Sequence, residues 1–213
     1  MTDVKICGLT RAGDVEVACA LGARYLGFNF AKQSLRRVTP KHAAALVRAA
    51  APGILRVGVF VDESEDEIRR AVDTASLDLV QLHRPLAEQD LASAARPIVA
   101  VAHVGTGSPV APPDSLLMRC RALLFDSAHG SAPGGTGTTF DWTAVAARPW
   151  PVPVFLAGGL TSDNVGRAIA CGKAAAVDVA SGVESAPGVK DAERLARFFD
   201  AVREADEAHA KTA

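Results

Sequence analysis

Residues 154–184 read VFLAGGLTSDNVGRAIACGKAAAVDVASGVE, and the order of signals within them decides the fold. An apolar run at 154–157 meets Gly158-Gly159. Thr161 through Asn164 then offers capping side chains ahead of an alanine-rich helical stretch at 163–171. A second apolar run at 175–180 meets Ser181-Gly182. A short run, a helix and another short run form a unit whose two strands lie parallel in one sheet. The runs are continuously apolar rather than alternating, which suits strands covered on both faces.

The same alternation extends back to the start of the chain. Further strand candidates are 4–7, 25–30, 55–61, 78–83, 98–103 and 122–126, which makes eight with the two above. Helical stretches are clearest at 12–21, 40–50, 64–75 and 191–204. Thr39-Pro40 reads as a cap followed by a proline in the first turn, and Ser64 with Glu67 has the capping-box spacing. A fourth helix over 85–95 is weaker. The fifth is reduced to 115–120, because 105–114 holds three prolines and two glycines. Eight strand–helix units predict an α/β protein, a single parallel (β/α)₈ barrel with an abbreviated or irregular fifth helix, since closure removes the sheet edges. An open flavodoxin-like sheet leaves several strands unused. No linker or composition shift divides residues 1–213, so one domain is expected, with 204–213 as a polar, fraying C-terminal tail.

Bulk properties narrow the function classes. The formal net charge of −1 over 213 residues speaks against a general nucleic-acid binder. No apolar run approaches the roughly 20 residues that cross a bilayer. Met1 leads almost at once into the first strand, so no signal peptide is read and a cytoplasmic protein is expected. Cys7, Cys19, Cys120 and Cys171 are scattered, with no CxxC pair and no Cys/His cluster at zinc spacing, so no metal is expected.

In such a barrel the reactive side chains fall at the carboxyl ends of the strands. Cys7 closes the first strand and precedes Gly8. As a thiolate it could take a proton from carbon if neighbouring positive charge lowers its pKa; an inert buried cysteine is the plainer alternative, and the one adopted for Cys19, Cys120 and Cys171. Asp126 closes the sixth strand, where it could act as an acid if desolvation raises its pKa, or serve as a cap or salt-bridge partner. The turns holding Gly158, Gly159, Ser181 and Gly182 follow the last two strands, where backbone N–H groups commonly bind phosphate. Residues 130–139 read as a glycine-rich loop without the lysine of a P-loop, and no GxGxxG follows the first strand, so nucleotide hydrolysis is not indicated. Arg36 and Arg37 are candidates for gripping a carboxylate or, equally, solvated surface arginines. His83 could face the site or be a hydrogen-bonded structural residue, and Trp142 and Trp150 are expected against the barrel wall.

With these residues in view, the chain resembles the phosphoribosylanthranilate isomerase family of tryptophan biosynthesis. The resemblance is carried by KICGLT at 5–10, SLRRVTP at 34–40, GVFV at 58–61, VQLH at 80–83, GGTGTTFDW at 134–142, FLAGGLTSDNV at 155–165 and DVASGVE at 178–184. It implies a cofactor-free, metal-free Amadori isomerase. In that family's pattern Cys7 matches the general base, Asp126 the general acid and Arg36 the arginine that binds the anthranilate carboxylate. Gly158, Gly159, Ser181 and Gly182 match the phosphate-binding turns. The implied partner is a small phosphorylated aminosugar, with no nucleic acid and no membrane, and oligomeric state is left open. Leu35, Arg37, Arg84 and Thr138 depart from the family's usual residues around the aromatic end of the site.

Two rivals are weighed. A phosphoribosyl isomerase of histidine biosynthesis, or one acting on both substrates, resembles a pattern with aspartate where Cys7 stands and with a half-repeat that this chain lacks. A non-catalytic barrel binding a phosphorylated ligand would need neither Cys7 nor Asp126.

Overall fold

Eight parallel strands close on themselves. They are β1 (Asp3–Ile6), β2 (Tyr25–Asn29), β3 (Leu55–Phe60), β4 (Leu79–Leu82), β5 (Ile98–Val104), β6 (Ala122–Ser127), β7 (Val154–Leu156) and β8 (Ala176–Val179). Each pairs with the next, and β8 returns to β1 with Lys5 opposite Asp178. The computed structural model describes residues 1–105, 109–127 and 140–211. The closed barrel expected from the sequence is the observed architecture. Among the described residues no helix is long and apolar enough to cross a membrane.

The helices are α1 (Ala12–Leu21), α2 (Pro40–Val47), α3 (Glu65–Ala75), α4 (Glu88–Ala92), α5 (Asp114–Leu117), α6 (Thr143–Ala146), α7 (Val165–Gly172) and α8 (Ala192–Ala210). The capping signals act as the side chains require. Thr39 Oγ1 accepts from the His42 N–H, and Ser64 and Glu67 form a reciprocal capping box. Asn164 differs from the expected pattern: its Oδ1 accepts from the Thr161 N–H, bracing the preceding turn rather than capping α7. Three helices, α4 to α6, are reduced to four or five residues, so the shortening expected at the fifth extends to both neighbours. The segment expected to fray from 204 is helical through Ala210, and Asp206 accepts from both the N–H and the hydroxyl of Thr2.

Period-two alternation divides each strand between two cores. Outward residues pack against the helices in the larger cluster, with Phe28, Phe60, Phe125 and Phe198 buried. Trp150 joins them, its ring 4.9 Å from that of Phe125. Inward residues fill the barrel: Tyr25, Val57, Leu79, Val99, Leu124 and Phe155 belong to this second cluster, with the Tyr25 and Phe155 rings 5.1 Å apart. Followed toward the carboxyl ends, the inward series turns polar. Lys5 leads to Cys7, Tyr25 to Asn29, Leu79 to Gln81 and His83, Leu124 to Asp126, and Ala176 to Asp178. The barrel is therefore plugged at its amino end and open at the other.

After β8 the chain makes a single 3₁₀ turn (Ser181–Val183) and a small antiparallel hairpin, β9 (Glu184–Ala186) with β10 (Val189–Lys190). This hairpin was not legible in the sequence, where its few residues are interrupted by Pro187-Gly188. It carries Glu184 and Lys190 to the open end of the barrel, where Glu184 meets Arg36 and Lys190 meets the Cys7 and Ala180 carbonyls.

Candidate active site

The open end holds a cavity of about 610 Å³ whose lining includes Cys7, Arg36, Asp126, Gly158, Gly159, Ser181 and Gly182. The seven residues that the family resemblance matches to a role thus meet at one place. Arg37 is exposed and lies outside that lining. Residues 130–139, including Thr138, fall outside the described residues.

Cys7 follows β1 and its N–H is held by the Val179 carbonyl of β8 at 2.9 Å. Two residues earlier on the same face, Lys5 is fully buried and donates from Nζ to Asp178 Oδ2 at 2.9 Å. Room for both comes from Gly27 on β2: a Cβ there would lie 3.0 Å from Cys7 Sγ and 3.1 Å from Lys5 Nζ. Burial pushes the Cys7 thiol above its ordinary value. The Lys5 ammonium pulls it back most strongly, Asp178 opposes that pull, Lys190 adds to it, and burial prevails. The lowered thiol pKa hoped for from sequence is therefore not present, although the positive charges are. Burial alone would lower Lys5, yet the charges of Asp178 and Cys7 outweigh it, so Lys5 stays above its ordinary value and remains an ammonium.

Asp126 stands on β6 opposite His103 of β5. His83, the residue after β4, accepts at Nε2 from Gln81 Nε2 at 2.7 Å, and its ring lies 5.8 Å from that of His103. Burial, with the neighbouring His103 and Lys5, lowers His83 to about 3, so its imidazole is neutral. Both readings of His83 hold at once: it lines the cavity and it is hydrogen-bonded. Among the described residues Gln81 Oε1 and Asp178 Oδ1 are buried without a partner, and both residues line the cavity.

Arg36 reaches the cavity from the loop after β2, passing under Gly8, where a Cβ would come within 2.4 Å of Arg36 Cδ. Its guanidinium grips Glu184, Nε donating to Oε1 at 2.9 Å and Nη2 to Oε2 at 2.6 Å. Lys190 completes the group. Its Nζ donates to Glu184 Oε1 at 2.9 Å, to the Cys7 carbonyl at 2.6 Å and to the Ala180 carbonyl at 3.0 Å. All three ammonium protons are thereby placed. Arg84, a departure from the family's usual residue, does not line the cavity. It donates to the Val61 and Glu63 carbonyls and to Asp90 instead, tying loops together.

The two glycine turns lean on their neighbours. Gly158 and Gly159 both have positive φ, 81° and 67°, open to glycine at little cost. A Cβ on Gly158 would meet the Ser127 nitrogen at 2.6 Å, and one on Gly182 would meet the Leu160 carbonyl oxygen at 1.9 Å. Asn164 braces the first turn from outside, Nδ2 donating to the Gly159 carbonyl at 2.9 Å.

Lys5, Asp178, Glu184 and Lys190 were missed as site residues. For the first two a signal existed: a lone charge inside an apolar strand is costly unless paired, so two such strands imply partners. For Glu184 and Lys190 no spacing argument was available, because a hairpin brings them together.

A (β/α)₈ barrel with a thiol, a carboxyl group and two backbone turns around one cavity belongs to the class of barrels built to handle small ligands at their open end. The family model for N-(5'phosphoribosyl)anthranilate isomerase matches residues 4–201, and the chain belongs to that family. A Pseudomonas putida N-(5'-phosphoribosyl)anthranilate isomerase is 40% identical over 201 residues, covering 94% of this chain and 97% of its own. The crystal structure of the Thermus thermophilus phosphoribosyl anthranilate isomerase superposes with a TM-score of 0.82 at 33% identity, over 95% of this chain and 99% of that one. A phosphoribosyl anthranilate isomerase crystallised with reduced 1-(o-carboxyphenylamino)-1-deoxyribulose 5-phosphate gives a TM-score of 0.79 at 28% identity, over 96% and 100%.

Proposed function

We propose that this chain converts N-(5-phosphoribosyl)anthranilate into 1-(2-carboxyphenylamino)-1-deoxyribulose 5-phosphate, an internal redox step of tryptophan biosynthesis. The observation that carries the reading is the shared cavity: Cys7 and Asp126, 119 positions apart by number, line it together with both glycine turns. Family membership and the ligand of the similar crystallised enzyme support the same substrate class.

Asp126, as the acid, gives its proton to the furanose ring oxygen, and the C1–O bond breaks to leave a Schiff base. The protonated imine is then the electron sink. Cys7, as the thiolate, removes the proton from C2, and the electron pair moves into the C1–C2 bond to form an enolamine. Loss of the enol proton and gain of one at C1 give the ketone. C1 is reduced and C2 oxidised within one molecule, so no outside oxidant or reductant enters the balance.

Arg36 is the proposed partner of the anthranilate carboxylate. Glu184 occupies one edge of its fork, leaving the Nη1 protons and one on Nη2 for the ligand. The turns at Gly158-Gly159 and Ser181-Gly182 are the proposed phosphate cradle. A polyol ligand also supplies donors for Gln81 Oε1 and Asp178 Oδ1, the two buried acceptors facing this cavity. The proposed setting is the cytoplasm, in one domain, with this small phosphorylated aminosugar as partner.

The test is turnover by purified protein, with Cys7→Ser and Asp126→Asn alongside. Each substitution is expected to cost roughly 10²–10⁴-fold in kcat, and the native chain to restore tryptophan-independent growth to a strain lacking the isomerase. Turnover of only the histidine-pathway aminoaldose phosphate would overturn the assignment.

A further inference from the structure

Lys5 has no exposed surface, and it lies inside a barrel whose other filling is mostly apolar. An ammonium placed there is costly unless its charge is used and compensated. Compensation is visible in Asp178, bonded at 2.9 Å, with β8 and β1 in the register that sets the two residues side by side. That pairing explains why the charge is tolerated but not why it is there, since an apolar pair would fill the same space at no electrostatic cost. The other neighbour of the ammonium points to a reason. Lys5 Nζ and Cys7 Sγ both crowd the bare Cα of Gly27, and a methyl group there would touch both.

We propose that Lys5 is a positioning residue for the isomerisation: its ammonium, locked by Asp178 and admitted by Gly27, steadies the negative charge that Cys7 Sγ carries as the base. The inference rests on the role proposed above for Cys7. Other charges also face the sulfur. Asp178 of β8 acts against the thiolate, while Lys190 of β10, bonded to the Cys7 carbonyl, favours it. Arg36, in the loop after β2, feels the thiolate as well. Asp126 stands across the cavity on β6. Of these groups Lys5 has the largest favourable effect on the thiolate and exceeds the opposing effect of Asp178, so deleting both members of the pair leaves a net loss.

The experiment is alkylation of Cys7 by iodoacetamide as a function of pH, read by mass spectrometry on the peptide that contains residue 7, so that Cys19, Cys120 and Cys171 do not contribute. It is run on the native chain, on Lys5→Met, and on Lys5→Gln with Asp178→Asn, a neutral amide pair that preserves the fold if the single variant does not. In either variant the alkylation rate near neutral pH is expected to fall about tenfold or more and its midpoint to move to higher pH. In Lys5→Met, kcat falls by a similar factor at neutral pH and recovers as pH rises, with KM held within about twofold. An alkylation profile that is the same in the native chain and the variants overturns the inference, even if kcat drops, because Lys5 would then be only structural. Alkylation needs no substrate, so failure of the proposed reaction would show separately, as a native chain with a responsive thiol and no turnover.

Discussion

Arg36 and Glu184, 148 positions apart, meet fork to fork at the open end of the barrel, with Lys190 bonded to the same carboxylate. Burial alone would raise Glu184, but the bonds from Arg36 and Lys190 outweigh it and hold it below its ordinary value. Breaking a buried pair of this kind costs about 3–5 kcal/mol, because it leaves the partner charge uncompensated. Glu184→Gln is therefore expected to lower stability in urea melts and to raise KM as Arg36 loses its brace. The sign with pH follows from the lowered value. The stabilisation is complete above the ordinary glutamate value, about 4.3, and disappears as pH falls through the folded one. The gap between native and variant melts should close on acidification; a gap that stays constant would show that Glu184 is not held ionised by these partners.

Gly182 has no space for a side chain. With the Leu160 carbonyl oxygen 1.9 Å from where a Cβ would sit, Gly182→Ala must push the two turns apart. Overpacking of this sort costs about 1–3 kcal/mol. The fold should survive, while the affinity for inorganic phosphate, followed by calorimetry, drops about tenfold or more, the loss of roughly one charge-assisted hydrogen bond. Undiminished phosphate affinity in a folded variant would remove these turns from the proposed cradle.

His83 should remain neutral through the physiological range. Burial, then His103 and Lys5, set its imidazole near 3 rather than the ordinary 6.5. Nitrogen resonances of its ring are expected to show no inflection between about pH 5 and 8, where an unperturbed histidine titrates. Since the unfolded chain protonates first, His83 favours folding fully above 6.5 and progressively less down to about 3. Water in the cavity softens that loss below the limiting slope of about 1.4 kcal/mol per pH unit. An inflection near 6.5 would contradict the burial argument.

At the closed end, Arg56 and Asp78 form a bidentate pair, with Nε to Oδ2 and Nη2 to Oδ1 both at 2.7 Å, and Asp78 Oδ2 also accepts from the Arg56 N–H. A charge pair at that end of the barrel concerns stability rather than chemistry. Asp78→Ala should lower stability by about 1–2 kcal/mol and leave kcat/KM unchanged. A large kinetic effect would mean that the two ends of the barrel communicate.

What the sequence made legible follows from how local each cause is. Eight apolar runs and the caps at Thr39 and Ser64 are written in adjacent residues, and the strand ends carried Cys7 and Asp126 to the open end by topology alone. The turns at Gly158 and Gly182 could be placed for the same reason. The thiol's surroundings were not legible, because they come from β1, β8 and β10 at once. Lys5 and Asp178 looked like interior strand residues until the barrel register set them side by side. Glu184 needed the hairpin that carries Lys190 back beneath Cys7. The short α6 was also missed, its few residues being too brief for any periodic pattern.

Lys190 donates to the carbonyl of Cys7 and to that of Ala180, so the end of the first strand is buttoned to the end of the last. Release of the hairpin would take this brace from the carboxyl end of β1 without touching the strand that carries the thiol, so loosening at β10 should be felt at Cys7.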